Sequence, residues 1–319
     1  MSTPNIVVTD HAFGGVLHEQ ALADRVGAML SVHQCVTEDE TRDVAGDADV
    51  LLVNFAPITR GVLEAMRPSA VVIRYGIGYD NVDIEAAREL GIPVCNVPDY
   101  GVDTVADHTV ACLLALLRRL GPADAAIRRR GWLAAGELGL IRGFAETTVG
   151  LVGTGRIGRA VAGRLRSFGF HILAYDPYVD PAALLDIGIE TAPFDEVLSR
   201  AHAISLHAPL TDANRRLMDA DAFAMMRPGS YLVNTSRGGL VDEAALIDAL
   251  RSGHLSGAAL DVFDPEPLDP DSALREIEEV ILTPHAAFYS ESSLDALQRL
   301  ASEEAERALN GAPLRCSLL

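Results

Sequence analysis

A glycine-rich segment at residues 149–158, VGLVGTGRIG, carries the sharpest chemical signal in the sequence. A β-branched run leads into it, a helical pattern follows at 159–168, and a second strand pattern comes next. In such an arrangement Gly153 permits a tight turn, Gly155 lets the backbone approach a pyrophosphate, and Gly158 lets helix and strand pack closely. Because the helix N-terminus also offers N–H groups to an anion, the segment predicts a dinucleotide site.

An acidic residue follows at the distance expected for a contact with the adenosine ribose. Asp176 lies 18 residues after Gly158, close to the ~20 residues that separate the last glycine from the ribose-binding acid. Its carboxylate would repel a 2′-phosphate, and Pro177 and Tyr178 follow it instead of an arginine. The sequence therefore predicts NAD rather than NADP as the cofactor. The alternative to a dinucleotide site as a whole is a glycine turn with a purely structural role.

Three polar residues, Arg237, Glu266 and His285, follow three predicted strands in the last third of the chain. Ligands of open parallel sheets bind beyond the carboxyl ends of the strands, so these side chains are expected to converge. An arginine neutralises a substrate carboxylate and polarises its carbonyl, a protonated histidine donates to the carbonyl oxygen, and an ionised glutamate orients and stabilises the imidazolium. Together they suit hydride transfer to a 2-keto acid, although each alone also fits an ordinary structural role.

The charge balance excludes several kinds of chemistry. The 319 residues include 45 acidic and 26 basic side chains, giving a net charge of −19, and all 26 basic residues are arginine. Without lysine there is no Schiff-base, pyridoxal-lysine or Walker-lysine chemistry. The negative field disfavours nucleic-acid binding as the main activity, and a hydrophobic content of 49% excludes a disordered chain.

No segment of the sequence indicates secretion or a membrane. The N-terminus lacks a basic stretch followed by an apolar one. The longest apolar run, residues 110–117, is far shorter than the ~20 residues that span a bilayer. The four cysteines stand far apart, which argues against disulfides and a zinc site. The histidines other than His207 and His285 show no ligand spacing, and His108 is interpreted as a packing or capping residue. We therefore expect a cytoplasmic protein with reduced thiols and no metal.

Short β-branched runs alternate with helical patterns, which predicts parallel sheets covered by helices on both faces. A long helix is expected at 103–120. Residues 128–132 are interpreted as a solvated connector with an aromatic anchor, the alternative being a subunit interface. The second part of the chain carries six predicted strands, the number typical of a dinucleotide-binding domain. The strands are expected at 6–8, 50–53, 71–73 and 92–95, and then at 148–152, 171–175, 203–206, 231–234, 257–260 and 280–282.

The order of these elements predicts two domains, of which the first is discontinuous. An amphipathic pattern at 292–309 has no strand after it and is expected to fold back on the first sheet. The predicted fold class is α/β, with two Rossmann-like, doubly wound parallel sheets and a cleft between them. Residues 1–100 with 288–319 form the predicted substrate domain, and 101–287 form the predicted NAD-binding domain.

Over nearly its whole length the sequence resembles the D-isomer-specific 2-hydroxyacid dehydrogenase family, and within it the C-terminal-binding-protein-like branch. The similar stretches are IRYGIGYDNVD at 73–83, GIPVCNVP at 91–98, FGFHILAYDPY at 168–178 and TPHAAFYS at 283–290. The resemblance implies an active site in the cleft, a small 2-keto or 2-hydroxy acid as substrate, and a homodimer formed through the coenzyme domains.

The resemblance also implies roles for single residues. Arg237, Glu266 and His285 match the family's catalytic arginine, acid and proton donor. The cofactor positions are matched by Gly153, Gly155, Arg156, Ile157 and Gly158 at the pyrophosphate turn, Asp176 at the ribose, His207 and Thr235 on cofactor-lining loops, and Asp261 facing the nicotinamide carboxamide. The substrate carboxylate is expected at Arg237 and at the backbone N–H groups of the loop that contains Gly76 and Ile77.

Three further positions bear on the substrate. Arg74, just before that loop, would supply a second cation to a phospho, phosphono or dicarboxylic keto acid, or else form a surface or interdomain ion pair. Phe288 stands where the corepressors of the branch have tryptophan in the substrate pocket, and the chain ends at residue 319 without their long tail. Glu266 argues against the formate dehydrogenase branch, which has glutamine at this position.

The sequence thus predicts an NAD-dependent oxidoreductase that interconverts a small 2-keto acid and a D-2-hydroxy acid by direct hydride transfer, with His285 as proton donor and acceptor. Two alternatives remain open. One is an NADH-responsive, corepressor-like interaction protein, and the other is a phosphite dehydrogenase on the same scaffold.

Overall fold

A computed structural model describes residues 3–319, which divide into two compact units. The first unit comprises the chain up to Gly101 together with Tyr289–Leu319, and the second is Val102–Phe288. The described strands are β1 (Asn5–Val8), β2 (Met29–Val32), β3 (Val50–Val53), β4 (Val71–Arg74), β5 (Val94–Asn96), β6 (Thr148–Val152), β7 (His171–Tyr175), β8 (Glu190–Thr191), β9 (Ala203–Leu206), β10 (Ser230–Asn234), β11 (Leu255–Leu260) and β12 (Val280–Leu282). The described α-helices are α1 (Leu17–Val26), α2 (Glu38–Ala45), α3 (Arg60–Ala65), α4 (Ile84–Leu90), α5 (Val102–Leu117), α6 (Leu120–Arg130), α7 (Arg156–Ser167), α8 (Pro181–Leu185), α9 (Phe194–Arg200), α10 (Ala220–Met225), α11 (Glu243–Arg251) and α12 (Glu291–Leu309).

The first unit is a five-stranded parallel sheet in the order β2-β1-β3-β4-β5. All four residues of β3 are buried, as expected of a central strand with helices on both faces. The last helix, α12, begins at the cap Ser290, whose hydroxyl accepts from the N–H of Ser293. Its buried residues Leu297 and Ala301 pack into the core of this unit, so the chain returns to the first sheet at its end.

The second unit is a seven-stranded parallel sheet in the order β12-β11-β10-β9-β6-β7-β8. Two apolar cores lie against it, and the first of them includes Leu113 and Leu116 of α5 packed with Leu151 of β6. Because every strand pair is parallel, the carboxyl ends of β6, β7, β9, β10, β11 and β12 lie along one edge of the sheet. The loops that leave this edge carry the predicted cofactor and catalytic residues.

The predicted α/β class with two Rossmann-like parallel-sheet domains is confirmed, since both sheets are parallel and both are covered by helices. Two strands were not predicted, the edge strand β2 and the two-residue β8. The helix predicted at 103–120 is present as α5, which ends at Leu117, whereas α6, which begins after Arg119 with its φ of +51°, was not predicted. Residues 128–130, predicted as part of a solvated connector, are exposed and form the last turn of α6.

Candidate active site

The glycine turn after β6 is built so that only glycine fits at two of its positions. Gly153 has a φ of +95°, and a Cβ there would lie 2.8 Å from the backbone N of Ala208. A Cβ on Gly158 would lie 2.4 Å from the carbonyl oxygen of Gly153. At Gly155, by contrast, a Cβ would meet open space, and this residue has no side chain with which to cap α7. The turn therefore presents an open, uncapped helix N-terminus, which fits a pyrophosphate.

Arg156 and Ile157 form the first turn of α7, which follows this opening. Arg156 is exposed, whereas Ile157 is partly buried and packs against the first core of the unit. The two residues that the resemblance assigns to the pyrophosphate turn thus differ in environment.

Asp176 is attached directly to the same turn. One of its carboxylate oxygens accepts from both the N–H and the hydroxyl of Thr154, each at 2.7 Å, and the other accepts from the N–H of Tyr178 at 3.0 Å. Partial burial raises the pKa of Asp176, whereas these hydrogen bonds and the charge of Arg159 lower it. The lowering effects are together the larger, so the net pKa lies below its usual value. The group is therefore an anion at neutral pH, which suits ribose hydroxyls and opposes a 2′-phosphate.

Two other predicted cofactor residues lie on loops of the same edge. His207 follows β9, its Nε2 lies 2.9 Å from the hydroxyl oxygen of Ser205, and burial lowers its pKa to about 4. Thr235 follows β10, and its hydroxyl lies 2.8 Å from that of Thr109 on α5. The hydroxyl of Thr109 donates to the carbonyl of Val105, so it accepts from Thr235.

The structure brings the predicted catalytic trio together within the second unit. Nδ1 of His285 lies 2.8 Å from Oε2 of Glu266, and Oε1 of Glu266 accepts from the N–H of Phe263 at 3.0 Å. Arg237 is near enough for its charge to lower the pKa of Glu266. Burial raises that pKa, but the hydrogen bond and charge of His285, the N–H of Phe263 and the charge of Arg237 together bring it below its usual value.

The loop that carries Arg237 is fixed by the last residue of β10. The side chain of Asn234, fully buried, accepts from the N–H of Ser236 at 3.0 Å and donates to the carbonyl of Arg237 at 2.8 Å. Nη1 of Arg237 donates to the carbonyl of Ser236, and the hydroxyl of Ser236 donates to the carbonyl of Ala208. These bonds orient the guanidinium at the carboxyl end of the strand.

Asp261 has surroundings that the sequence did not predict. Its carboxylate accepts hydrogen bonds from the hydroxyl of Thr283, which precedes His285, and from the N–H groups of Ala286 and Ala287, which follow His285. His108, interpreted from the sequence as a packing or capping residue, places Nε2 3.2 Å from the hydroxyl oxygen of Thr283. The contact joins residues 175 positions apart, and no local pattern in the sequence indicates it.

The predicted substrate loop lies in the first unit, at the carboxyl end of β4. Arg74 is 8% exposed, and its Nη1 donates to the carbonyl of Tyr75 at 2.7 Å. Gly76 has a φ of +139°, and a Cβ on it would lie 1.6 Å from Nη1 of Arg74. The carbonyl of Ile77 accepts from the side-chain amide of Asn96. The guanidinium of Arg74 is thus folded closely around the loop that contains Gly76.

Among residues 3–319, no cluster of three or more His, Cys, Asp or Glu side chains has the arrangement of a metal site. None of the described helices is both long enough and apolar enough to cross a membrane.

The NAD-binding domain model of the D-isomer-specific 2-hydroxyacid dehydrogenases matches residues 110–287. The D-3-phosphoglycerate dehydrogenase of Mycobacterium leprae is 40% identical over 314 residues, which are 98% of this chain and 58% of that protein. The corresponding enzyme of Methanocaldococcus jannaschii is 37% identical over 96% of this chain and 57% of its own length. The chain thus spans little more than half the length of these curated relatives.

The structure of a D-lactate dehydrogenase from Aquifex aeolicus, complexed with NAD and lactic acid, is also similar. It superposes with a TM-score of 0.87 at 28% identity and covers 96% of each chain. A protein of Thermus thermophilus superposes with a TM-score of 0.86 at 34% identity, over 99% of this chain and all of that one. The predicted family and the predicted cofactor are both confirmed: the chain carries an NAD-binding domain and belongs to the D-isomer-specific 2-hydroxyacid dehydrogenase family.

Proposed function

We propose that this chain interconverts a small 2-keto acid and the corresponding D-2-hydroxy acid with NAD as the cofactor. The observation that carries the proposal is the 2.8 Å contact between His285 and Glu266, with Arg237 within electrostatic reach, in the unit that holds the glycine turn. A cation, a paired imidazole and a dinucleotide turn are the components that reversible reduction of a keto acid requires.

The roles follow from the chemistry of each side chain. The cation of Arg237 binds the substrate carboxylate and polarises the adjacent carbonyl. His285 donates a proton to the carbonyl oxygen during reduction and accepts it during oxidation, while ionised Glu266 orients the ring through Nδ1 and stabilises the imidazolium. Bound NAD supplies the hydride acceptor or donor.

The glycine turn and Asp176 would hold the cofactor. Gly155 leaves the N-terminus of α7 open to the pyrophosphate, and Gly153 and Gly158 allow the turn that shapes it. Asp176 would accept from the ribose hydroxyls, with His207 and Thr235 on neighbouring loops.

Arg74 extends the proposal to the substrate class. Its guanidinium is buried beside the loop of Gly76 and Ile77, 6.0 Å from the ring centroid of Phe55. We propose that it binds a second anionic group of the substrate, which a phospho-substituted acid would supply. The names of the M. leprae and M. jannaschii relatives favour such an acid. The alternative is that Arg74 only shapes its loop.

The experiment is NADH oxidation at 340 nm against 2-keto acids with and without a second anion: glyoxylate, pyruvate, hydroxypyruvate, phenylpyruvate, 2-ketoglutarate, phosphonopyruvate and 3-phosphohydroxypyruvate. Turnover that Arg237→Gln lowers by about 100-fold or more in kcat/KM supports the proposal. Arg200→Gln is the matched control, because Arg200 is half-exposed on α9 and paired with the surface carboxylates of Glu190 and Glu196. Arg74→Met should lower kcat/KM for the doubly anionic acids by at least about tenfold and leave pyruvate within about twofold.

Other outcomes would favour the alternatives. Tight NADH binding without turnover of any keto acid would contradict the proposal and favour the NADH-responsive interaction protein. Turnover of phosphite alone would favour the phosphite dehydrogenase. An Arg74→Met variant that changes no substrate by more than about twofold would leave Arg74 with a structural role only.

We also propose that the chain forms a homodimer through its NAD-binding unit. This unit exposes large apolar side chains on and after α6, where Leu120 is 57%, Trp132 80% and Leu140 75% exposed. Large exposed apolar residues in one segment are typical of an interface. Trp132→Arg with Leu140→Asp should halve the mass measured by light scattering. A location in the cytoplasm stays a prediction of the sequence.

A further inference from the structure

The backbone of His285 has a conformation that something must hold in place. Its φ is +50°, and among the described residues other than glycine only Arg119 and Arg216 share a positive φ. This left-handed region is unfavourable for a residue with a Cβ and persists only where neighbouring groups enforce it. Since Nδ1 of His285 contacts Glu266 from this backbone conformation, whatever enforces it also sets the direction of the imidazole.

Asp261, whose side chain is buried, supplies a contact to each of the three amides at and after His285, and the carbonyl of Thr283 adds a second, 3.1 Å contact to the N–H of His285. The backbone carbonyl of Asp261 accepts from the N–H of His285 at 2.8 Å. Its carboxylate then takes the next two N–H groups, with Oδ1 2.8 Å from the N of Ala286 and Oδ2 2.8 Å from the N of Ala287. Three consecutive amides around the strained residue thus end on one aspartate that is 2% exposed.

Thr283 and His108 complete the arrangement, and the direction of their hydrogen bonds follows from chemistry. The Thr283 hydroxyl lies 2.5 Å from Oδ1 of Asp261 and donates to this oxygen, which also accepts from the N–H of Ala286. The lone pairs of that hydroxyl therefore accept from His108, whose Nε2 is 3.2 Å away and carries the proton. His108 lies on α5 beside Thr109, which accepts from Thr235, so one helix supports both the loop of His285 and the loop of Arg237.

We propose that Asp261, Thr283 and His108 are positioning residues that hold the His285 backbone in its left-handed conformation, and so keep the imidazole against Glu266. Both carboxylate oxygens of Asp261 are engaged in this task. The family resemblance implies instead that Asp261 faces the nicotinamide carboxamide. The proposal concerns proton transfer and therefore rests on the proposed function, but its structural core can be tested in the protein without cofactor.

The test compares Thr283→Val, Thr283→Ser and Asp261→Asn with the unaltered protein. The first readout is hydrogen–deuterium exchange of residues 284–288 without NAD. Thr283→Val and Asp261→Asn should speed this exchange by at least about fivefold, because buried partners lose their hydrogen bonds. Thr283→Ser, which keeps the hydroxyl, should restore it. Thr147→Val is the matched control, since it removes a threonine hydrogen bond in the same unit. This residue lies just before β6, at the edge of the sheet opposite to the candidate site.

The second readout separates positioning from a contact with the cofactor. Thr283→Val should lower kcat by about tenfold while the Kd for NADH, measured by fluorescence, changes by less than about twofold. In a His285→Ala background Thr283→Val should have no further effect on kcat, since the group that it positions is gone. His108→Leu should resemble Thr283→Val, and His108→Gln, which keeps a donor, should be milder.

Each contrary result has a definite meaning. Unchanged exchange at 284–288 in both Thr283→Val and Asp261→Asn would overturn the proposal, even if no substrate were found. A weakened Kd for NADH with unchanged exchange would assign Asp261 to the cofactor instead. Faster exchange in a protein that turns over no keto acid would support the positioning role and contradict only the proposed function.

Discussion

Glu266 and His285 form a hydrogen-bonded pair across two loops that leave neighbouring strands, with Oε2 of the glutamate 2.8 Å from Nδ1 of the imidazole. Burial raises the pKa of Glu266, but its contacts with His285, Phe263 and Arg237 bring it below the usual value, so the group is ionised at neutral pH. An ionised acceptor requires that Nδ1 carry a proton. The proton exchanged with a substrate must therefore be the one at Nε2.

Glu266→Gln should lower kcat for keto-acid reduction by about 10- to 100-fold with little change in the Kd for NADH. The amide oxygen can still accept from Nδ1, but the charge that stabilises the imidazolium is lost. For the same reason the pH above which reduction slows should move to lower pH. The measurement is kcat against pH at 340 nm. Glu278→Gln, at a surface carboxylate paired with Arg129, is the control. A pH profile identical to that of the unaltered protein would contradict the assignment.

The parts of the candidate site whose positions follow from the sequence are those encoded by short segments. The glycine turn, Asp176 and the residues at the strand ends follow directly from the strands that precede them, and parallel strands bring their carboxyl ends to one edge. The contact of His108 with Thr283 was not predictable in this way, because it depends on how α5 lies across the sheet. Asp261 was assigned from the resemblance alone, which says nothing of its bonds to Ala286 and Ala287.

The missed elements have equally local causes. Strand β2 is at the edge of its sheet, and Met29 and Val32 at its two ends are exposed. Because such a strand has no buried face to encode, its sequence MLSV shows no clear alternation of apolar and polar residues. Gly121 and Pro122 after α5 indicate a break, yet both fit in the first turn of α6, where the N–H that proline lacks would have no helical partner. Propensity thus located the break between the two helices but not the second helix.

Asp176→Asn should relax the preference for NAD over NADP by at least about tenfold in the ratio of kcat/KM values. The substitution keeps an oxygen that can accept from Thr154 and removes the negative charge that repels a 2′-phosphate. The measurement is the ratio of rates with NADH and NADPH. Asp180→Asn, at an exposed helix cap in the same segment, is the control. An unchanged ratio in Asp176→Asn would show that its charge does not select the cofactor.

Gly158→Ala and Gly163→Ala should have opposite effects on stability, although both lie on α7. A Cβ at 158 would be 2.4 Å from the carbonyl oxygen of Gly153, so the turn must move, at a cost of about 1–3 kcal/mol and with weaker NADH binding. A Cβ at 163 meets nothing within 4 Å. There alanine should stabilise by about 0.5–1 kcal/mol, because it lowers the entropy of the unfolded chain. Urea unfolding measures both. Equal effects of the two substitutions would contradict the close packing at 158.

His207 should make the protein less stable in mild acid. Its pKa is lowered to about 4 by burial, below the ~6.5 of an unfolded histidine, so the unfolded state binds more protons between these values. The stabilisation is complete above pH ~6.5 and is lost as the pH falls through 4, by about 3 kcal/mol in all. Urea unfolding from pH ~4.5 to ~7.5 should therefore show a shallower pH dependence for His207→Asn than for the unaltered protein. Because every other titrating group is common to these proteins, equal slopes in His207→Asn and the unaltered chain would mean that His207 is not held neutral by the fold.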